Sequence, residues 1–235
     1  MEQLIFELAS PEPPTFANFL PGPNREAVTA LVRIATGEAA ETGLVLWGAP
    51  GVGKTHLLHA AAAAAVDRRP VCFCADPAAL PTDPPLPSAL VVVDDVDRAD
   101  PAMQGRLFTL YNVLKACGGS LVASAALPPA RMSLRDDVRS RLGWGLVYEI
   151  LPLADEDKPL ALTTYARARG FALADDVIAY LLAHGRRDMP SLMATLAALD
   201  RHSLASKRAI TMPLLRDWLQ SGLGFPGSAP GDPTR

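Results

Sequence analysis

The sequence predicts a parallel α/β sheet with helices on both faces, followed by a small all-helical domain. Three features predict it. Short apolar runs alternate with helical stretches up to about residue 150. After Pro152 only helical periodicity remains. A glycine-rich turn, Gly48 to Gly53, joins one apolar run to a helix, the strand–loop–helix setting in which parallel sheets hold anions.

Each element has its own warrant. Pro11, Pro13, Pro14, Pro21 and Pro23 keep residues 9–23 extended. A helix is predicted over 25–36, with Val28, Leu31, Val32 and Ala35 on one face. The run from Gly43 to Trp47 reads as a strand buried on both faces. Residues 54–66 read as a thin helix, because Ala60 to Ala65 are all alanine. A second strand is predicted over 71–74, followed by a loop holding Pro77, Pro81, Pro84, Pro85 and Pro87. Further strands are predicted over 89–93, 120–124 and 146–150, with a helix over 102–116. The second domain takes four helices, over 155–169, 175–184, 191–206 and 213–220. The expected organisation is a tail over 1–12, a sheet domain over 13–152, a helical domain over 153–221 and a disordered Gly/Pro/Ser-rich tail over 222–235.

Composition narrows the function. The chain has 235 residues and 49% hydrophobic residues, ample for a core. Twenty-two basic residues against 25 acidic ones give a net charge of -3, which speaks against a dedicated DNA-reading surface. Cys72, Cys74 and Cys117 form no closed disulfide framework and lack metal-ligand spacing, so buried thiols in a reducing cytoplasm are expected. Met1 to Ala9 has no basic region of a secretory signal, and no apolar run is long enough to span a bilayer. A cytoplasmic protein is expected.

The phosphate chemistry is the firmest reading. Gly48-Ala-Pro-Gly-Val-Gly-Lys-Thr55 fits G-x-x-x-x-G-K-[ST]. Backbone N–H groups of such a loop curl around phosphate oxygens, and the positive end of the following helix adds to the cradle. Gly48, Pro50, Gly51, Val52, Gly53, Lys54, Thr55 and His56 are therefore the expected contacts to ATP or ADP. Lys54 is placed to reach the β- and γ-phosphates and Thr55 to ligate Mg²⁺. Leu90-Val-Val-Val-Asp-Asp95 supplies a second element, an apolar strand ending in two carboxylates at the edge where the loop lies. Asp94 is the expected second metal-site residue and Asp95 the carboxylate that polarises water. His56 and His59 have no partners as metal ligands, so packing or helix-surface roles are expected for both side chains.

Taken with Thr15-Phe-Ala-Asn-Phe19, Asn24-Arg25, Gly53-Lys-Thr-His-Leu-Leu-His59 and Ser140-Arg-Leu-Gly-Trp-Gly145, these elements resemble the DnaA-related AAA+ family of P-loop ATPases. The likeness runs from about residue 13 to residue 220. It implies a five-stranded AAA+ sheet domain with a helical lid. It also implies that Arg141 is an arginine finger, the alternatives being a surface arginine paired with Asp136 or Asp137, or Arg139 in that role, and that Ser124 is the polar sensor beside the attacking water. Pro190 falls where the family's second sensor is usually an arginine; Arg186 or Arg187 could substitute, and weak intrinsic ATPase is expected. On this reading only about a dozen residues are expected before the core, and no DNA-reading domain is expected after the lid. The resemblance is therefore to the Hda-like regulators, which promote hydrolysis of DnaA-bound ATP and so restrain replication initiation. Gln3-Leu-Ile-Phe-Glu-Leu8 resembles their sliding-clamp motif, with Gln3 at a pocket rim and Leu4, Phe6 and Leu8 as anchors; the alternative is a strand packed on its own domain. The implied partners are the clamp and DnaA, without sequence-specific DNA binding or a membrane, and with a homodimer left open. A second reading is an autonomous AAA+ ATPase that loads or remodels replication proteins. A third, a nucleotide-gated DNA-binding module, is weakened by the acidic balance.

Overall fold

The computed structural model describes residues 13–83 and 85–220. The expected clamp residues Gln3, Leu4, Phe6 and Leu8, and the tail over 222–235, lie outside them. The chain divides into two compact units, one spanning Pro14–Pro152 and the other beginning at Leu153.

In the first unit the apolar runs become β1 (Gly43–Trp47), β2 (Val71–Cys74), β3 (Leu90–Val93), β4 (Ser120–Ala125) and β5 (Leu146–Glu149). They form one parallel sheet in the order β2-β3-β4-β1-β5. Alternation along each strand divides the side chains between two faces. Leu44, Leu46, Leu90, Val92 and Val122 pack with Leu31 and Ile34 of α1 (Arg25–Thr36) and with Leu57, Leu58 and Ala61 of α2 (Lys54–Ala65). Val45, Val91, Val93, Leu121 and Ala123 pack with Leu107 and Leu114 of α3 (Pro101–Ala116) and with Val138 and Leu142 of α4 (Asp136–Gly143). Each of the buried leucine, isoleucine and valine side chains contributes about 1.5–3 kcal/mol. A strand that is apolar at every position is what a sheet covered on both faces requires.

The register sets the working edge. Trp47 pairs with Ala125 and Val93 with Ala123, so the loops after β1, β3 and β4 leave the sheet side by side. The opposite edge is closed by Arg69. Its guanidinium donates to Ile34 O at 3.0 Å, Ser88 O at 2.6 Å, Ala89 O at 2.9 Å and Ser120 Oγ at 3.3 Å. One side chain thus joins the end of α1 to the starts of β3 and β4. On β2, the Cys72 and Cys74 sulfurs stand 3.9 Å apart as free thiols, and burial with Cys72 alongside pushes Cys74 up to about 12. Cys74 is therefore protonated and unreactive at neutral pH.

The second unit holds α5 (Lys158–Ala168), α6 (Asp175–His184), α7 (Met189–Ser206) and α8 (Met212–Trp218). Leu162, Val177, Leu181, Leu196, Leu199, Leu214 and Trp218 form its core. Within it, Arg169 and Asp200 make a buried ion pair at 3.0 Å. Among the described residues no helix is long and apolar enough to cross a membrane.

Sequence and structure differ at several ends. Strand β3 begins at Leu90 rather than 89, β4 runs on to Ala125, and β5 stops at Glu149. Helix α5 starts at Lys158, with Pro159 in its first turn, rather than at 155. Helix α7 starts at Met189 because Pro190 is tolerated in a first turn, where its missing N–H costs no helical bond, and Asp188 caps it by accepting from Ser191 N–H at 2.9 Å. Helix α8 spans Met212–Trp218 rather than 213–220. Helix α4 was not expected at all. It is short and charged, and Val138 and Leu142 are its only buried residues, too few for a visible period.

Candidate functional site

The site is built where β1 gives way to α2. Gly48 sits at φ +150°, and a Cβ there would stand 2.6 Å from Ile150 O. Gly53 caps α2 at φ +101°, and a Cβ there would meet the Phe19 ring at 2.8 Å. Both positions need glycine, one for close backbone approach and both for their backbone hand. No side chain caps α2, so the first N–H groups of the helix are not satisfied by a capping side chain.

Five expected residues, Lys54, Thr55, Asp94, Asp95 and Ser124, lie together here. Lys54 Nζ donates to Gly48 O at 2.7 Å and Ala49 O at 3.0 Å, which lays the ammonium along the loop. Burial lowers its pKa, while Asp95, Asp94 and Asp97 oppose that shift. Thr55 Oγ1 donates to Asp94 Oδ2 at 2.7 Å. Ser124 is fully buried; its hydroxyl donates to the other Asp94 oxygen and accepts from Asp95 N–H at 2.8 Å. Asp95 takes a left-handed backbone, φ 49°, and its half-exposed side chain faces Arg98 at 3.7 Å. The chain Thr55–Asp94–Ser124–Asp95 therefore runs from α2 through β3 to β4. Ser124 is occupied on both sides within it, a role that its strand-end position alone does not reveal.

His56 turns elsewhere. Its Nε2 lies 3.0 Å from Thr15 O and its ring 5.5 Å from that of Phe19. His59 stacks on Phe73 at 4.2 Å. Thr15 and Asn18 close a reciprocal turn, with Thr15 N–H donating to Asn18 Oδ1 at 2.8 Å and Asn18 N–H to Thr15 Oγ1 at 3.3 Å. Asn24 in turn grips both backbone groups of Leu151. The segment Thr15–Phe19 thus lies against the first turn of α2, a contact that sequence spacing could not supply. Asp97 was also missed; it accepts from Ala126 N–H at 3.0 Å, one residue beyond β4.

Burial pushes the His56 imidazole below 6.5, helped by His59 and opposed by the Thr15 carbonyl. The folded state resists a proton that the unfolded state accepts, so stability is full above 6.5 and falls as the pH drops through and below that value. Asp155, held low by the Lys158 hydrogen bond, and Asp188, held low by Ser191, lose their contributions only below 3.8. Thermal melts from about pH 8 to about pH 5 are expected to fall for wild type and to flatten in His56→Gln. An unchanged slope in the variant would assign the acid sensitivity to another group.

Arg141 stands outside this hydrogen-bonded set. On α4, its Cζ lies 4.0 Å from the Trp144 ring centroid and 5.2 Å from that of Phe108. Arg139 pairs with Asp136, and Arg135 with Asp137 at 2.6 Å. Among the described residues no carboxylate pairs with Arg141. In the second unit, Pro190 is exposed in the first turn of α7. Arg186 is paired with Asp188 at 3.1 Å and Arg187 with Asp155 at 3.5 Å.

Sheet order, glycine loop and paired acids together define a P-loop protein of AAA+ architecture. The model of the bacterial DnaA ATPase domain matches residues 12–72, and that of the Hda lid domain matches residues 155–219. Together the two matches support an Hda-like, DnaA-related AAA+ protein. Its fold is similar to that of domain III of the Thermotoga maritima replication initiation protein DnaA, with a TM-score of 0.77 at 20% identity over 90% of this chain and 100% of that one. AMPPCP-bound DnaA from Aquifex aeolicus gives 0.65 at 20% identity, over 82% of this chain and 67% of that one. The Thermotoga maritima RuvB Holliday junction branch migration motor gives 0.62 at 18% identity, over 89% and 72%.

Proposed function

We propose that this protein binds ADP or ATP with Mg²⁺ and docks on the DNA sliding clamp. There it contributes Arg141 to hydrolysis of ATP held by DnaA, which restrains replication initiation. What carries the reading is an Hda-type lid and a DnaA-type ATPase segment in one chain whose Arg141 has no carboxylate partner among the described residues. The AMPPCP-bound relative supports the nucleotide assignment.

The site fits such a ligand. Thr55 hydroxyl and Asp94 carboxylate are hard oxygen donors 2.7 Å apart, the kind of pair that holds Mg²⁺ directly or through water. The loop from Gly48 to Gly53, with Pro50, Gly51 and Val52 between, offers backbone N–H groups to phosphate, and Lys54 exchanges its loop carbonyls for phosphate oxygens. When bound, the metal supplies charge neutralisation at those phosphates. Ser124 acts as a positioning residue: by holding Asp94 and the Asp95 N–H, it aims both acids along the same edge. His56 backs the loop through Thr15. Gln3, Leu4, Phe6 and Leu8 form the clamp-docking motif on this reading. Without an arginine at Pro190, slow intrinsic turnover is expected.

The test is hydrolysis of ATP preloaded on DnaA, with clamp loaded on DNA, comparing the full chain with one lacking residues 1–8. The full chain is expected to accelerate hydrolysis; the deletion is expected to lose clamp binding and acceleration while retaining nucleotide uptake. Equal clamp association by both chains would remove the tail from the proposal. The second reading, an autonomous ATPase, draws on the intact acid pair with a half-exposed Asp95; fast hydrolysis by the purified protein alone would favour it.

A further inference from the structure

Trp144 is 57% exposed, an indole on the surface that belongs to neither core of the first unit. Two cations stand over its ring: Arg141 Cζ at 4.0 Å from the centroid and Lys115 Nζ at 4.9 Å. Phe108 of α3 takes Arg141 at 5.2 Å. Among the described residues the buried Arg141 Nε has no hydrogen-bond partner. The nearest acids along α4, Asp136 and Asp137, are occupied by Arg139 and Arg135.

This arrangement solves a chemical problem. An arginine meant for a phosphate must be held still, yet a carboxylate that holds it also neutralises it and occupies its N–H edge. An aromatic ring binds the face of the guanidinium plane instead, leaving the N–H groups along the edge available to oxygen acceptors. The geometry points to Trp144, backed by Phe108, as a positioning residue for Arg141, holding it charged and unpaired toward the phosphoryl oxygens of ATP bound by a neighbouring ATPase. It rests on the reading of Arg141 as a finger acting in trans. Lys115, on the same indole, keeps the patch cationic and thus attractive to a polyphosphate.

The experiment has two arms, both on the full chain. In the first, hydrolysis of DnaA-bound ATP with loaded clamp is followed against concentration for wild type, Arg141→Ala, Trp144→Ala and Trp144→Phe. Trp144→Ala is expected to lower the rate at saturation by about tenfold with an unchanged half-maximal concentration, and Trp144→Phe to recover most of it. A wild-type saturating rate in Trp144→Ala, a change confined to the half-maximal concentration, or no rescue by phenylalanine overturns the inference. The second arm needs no partner: quenching by iodide and by acrylamide of the fluorescence that is lost in Trp144→Phe. Arg141→Ala is expected to reduce iodide quenching relative to acrylamide, because a cation has left the indole; an unchanged ratio overturns the stacking. If Arg141→Ala hydrolyses like wild type while the ratio changes, the trans-acting finger has failed and the stacking stands.

Discussion

Replacing Lys54 with alanine is expected to weaken ADP and ATP uptake by about a hundredfold or more, since each charge-assisted bond to phosphate contributes about 1.5–3 kcal/mol. The ammonium is buried and donates to two loop carbonyls, so its removal leaves Gly48 O and Ala49 O to water. The melting temperature without nucleotide is therefore expected to change little, and the rise on adding Mg²⁺ and nucleotide to vanish. Arginine is not expected to restore binding, because a planar fork does not fit where a point charge lies along a tight loop. Calorimetry with each nucleotide is the check. Wild-type uptake by Lys54→Ala would mean that the loop between β1 and α2 does not hold phosphate.

Arg141→Ala is the second large effect. Arginine fingers supplied in trans contribute about 10³ to 10⁵ in rate, so acceleration of hydrolysis on DnaA is expected to disappear while nucleotide uptake by this chain stays at the wild-type level. Arg141→Lys is expected to restore little, because an ammonium neither stacks as a plane nor grips two phosphate oxygens at once. Arg139→Ala is the matched control. Its side chain is already paired with Asp136, so near-normal acceleration is expected. Loss of activity in Arg139→Ala with retention in Arg141→Ala would exchange the two assignments.

The two halves of the phosphate site differ in how far sequence could reach them. Gly48 to Thr55 is local: one strand, one loop and one helix carry it, and the spacing alone dictates the cradle. The meeting of Thr55 with Asp94 follows once both strands are placed in one parallel sheet. Ser124 is different, because its hydroxyl meets Asp94 and Asp95 only through the pairing of β3 with β4, and strand order is not written in periodicity. The same holds for Thr15 against His56, a contact across 41 positions. Helix α4 escaped for another reason: its stability comes from two apolar side chains packed on α3 and β1 rather than from a stripe of its own. That helix carries Arg141, so sequence could nominate the arginine by resemblance but not its aromatic cradle.

Arg69 gives the domain a fastened floor. With a single side chain tying one helix end to two strand starts, the base of the sheet opens only if several backbone acceptors lose their donor together. The opposite rim is tied through Thr55, Asp94 and Ser124, side chains whose oxygens a metal or nucleotide can also claim. Exchanging those contacts for a ligand leaves the Arg69 bonds at the base untouched.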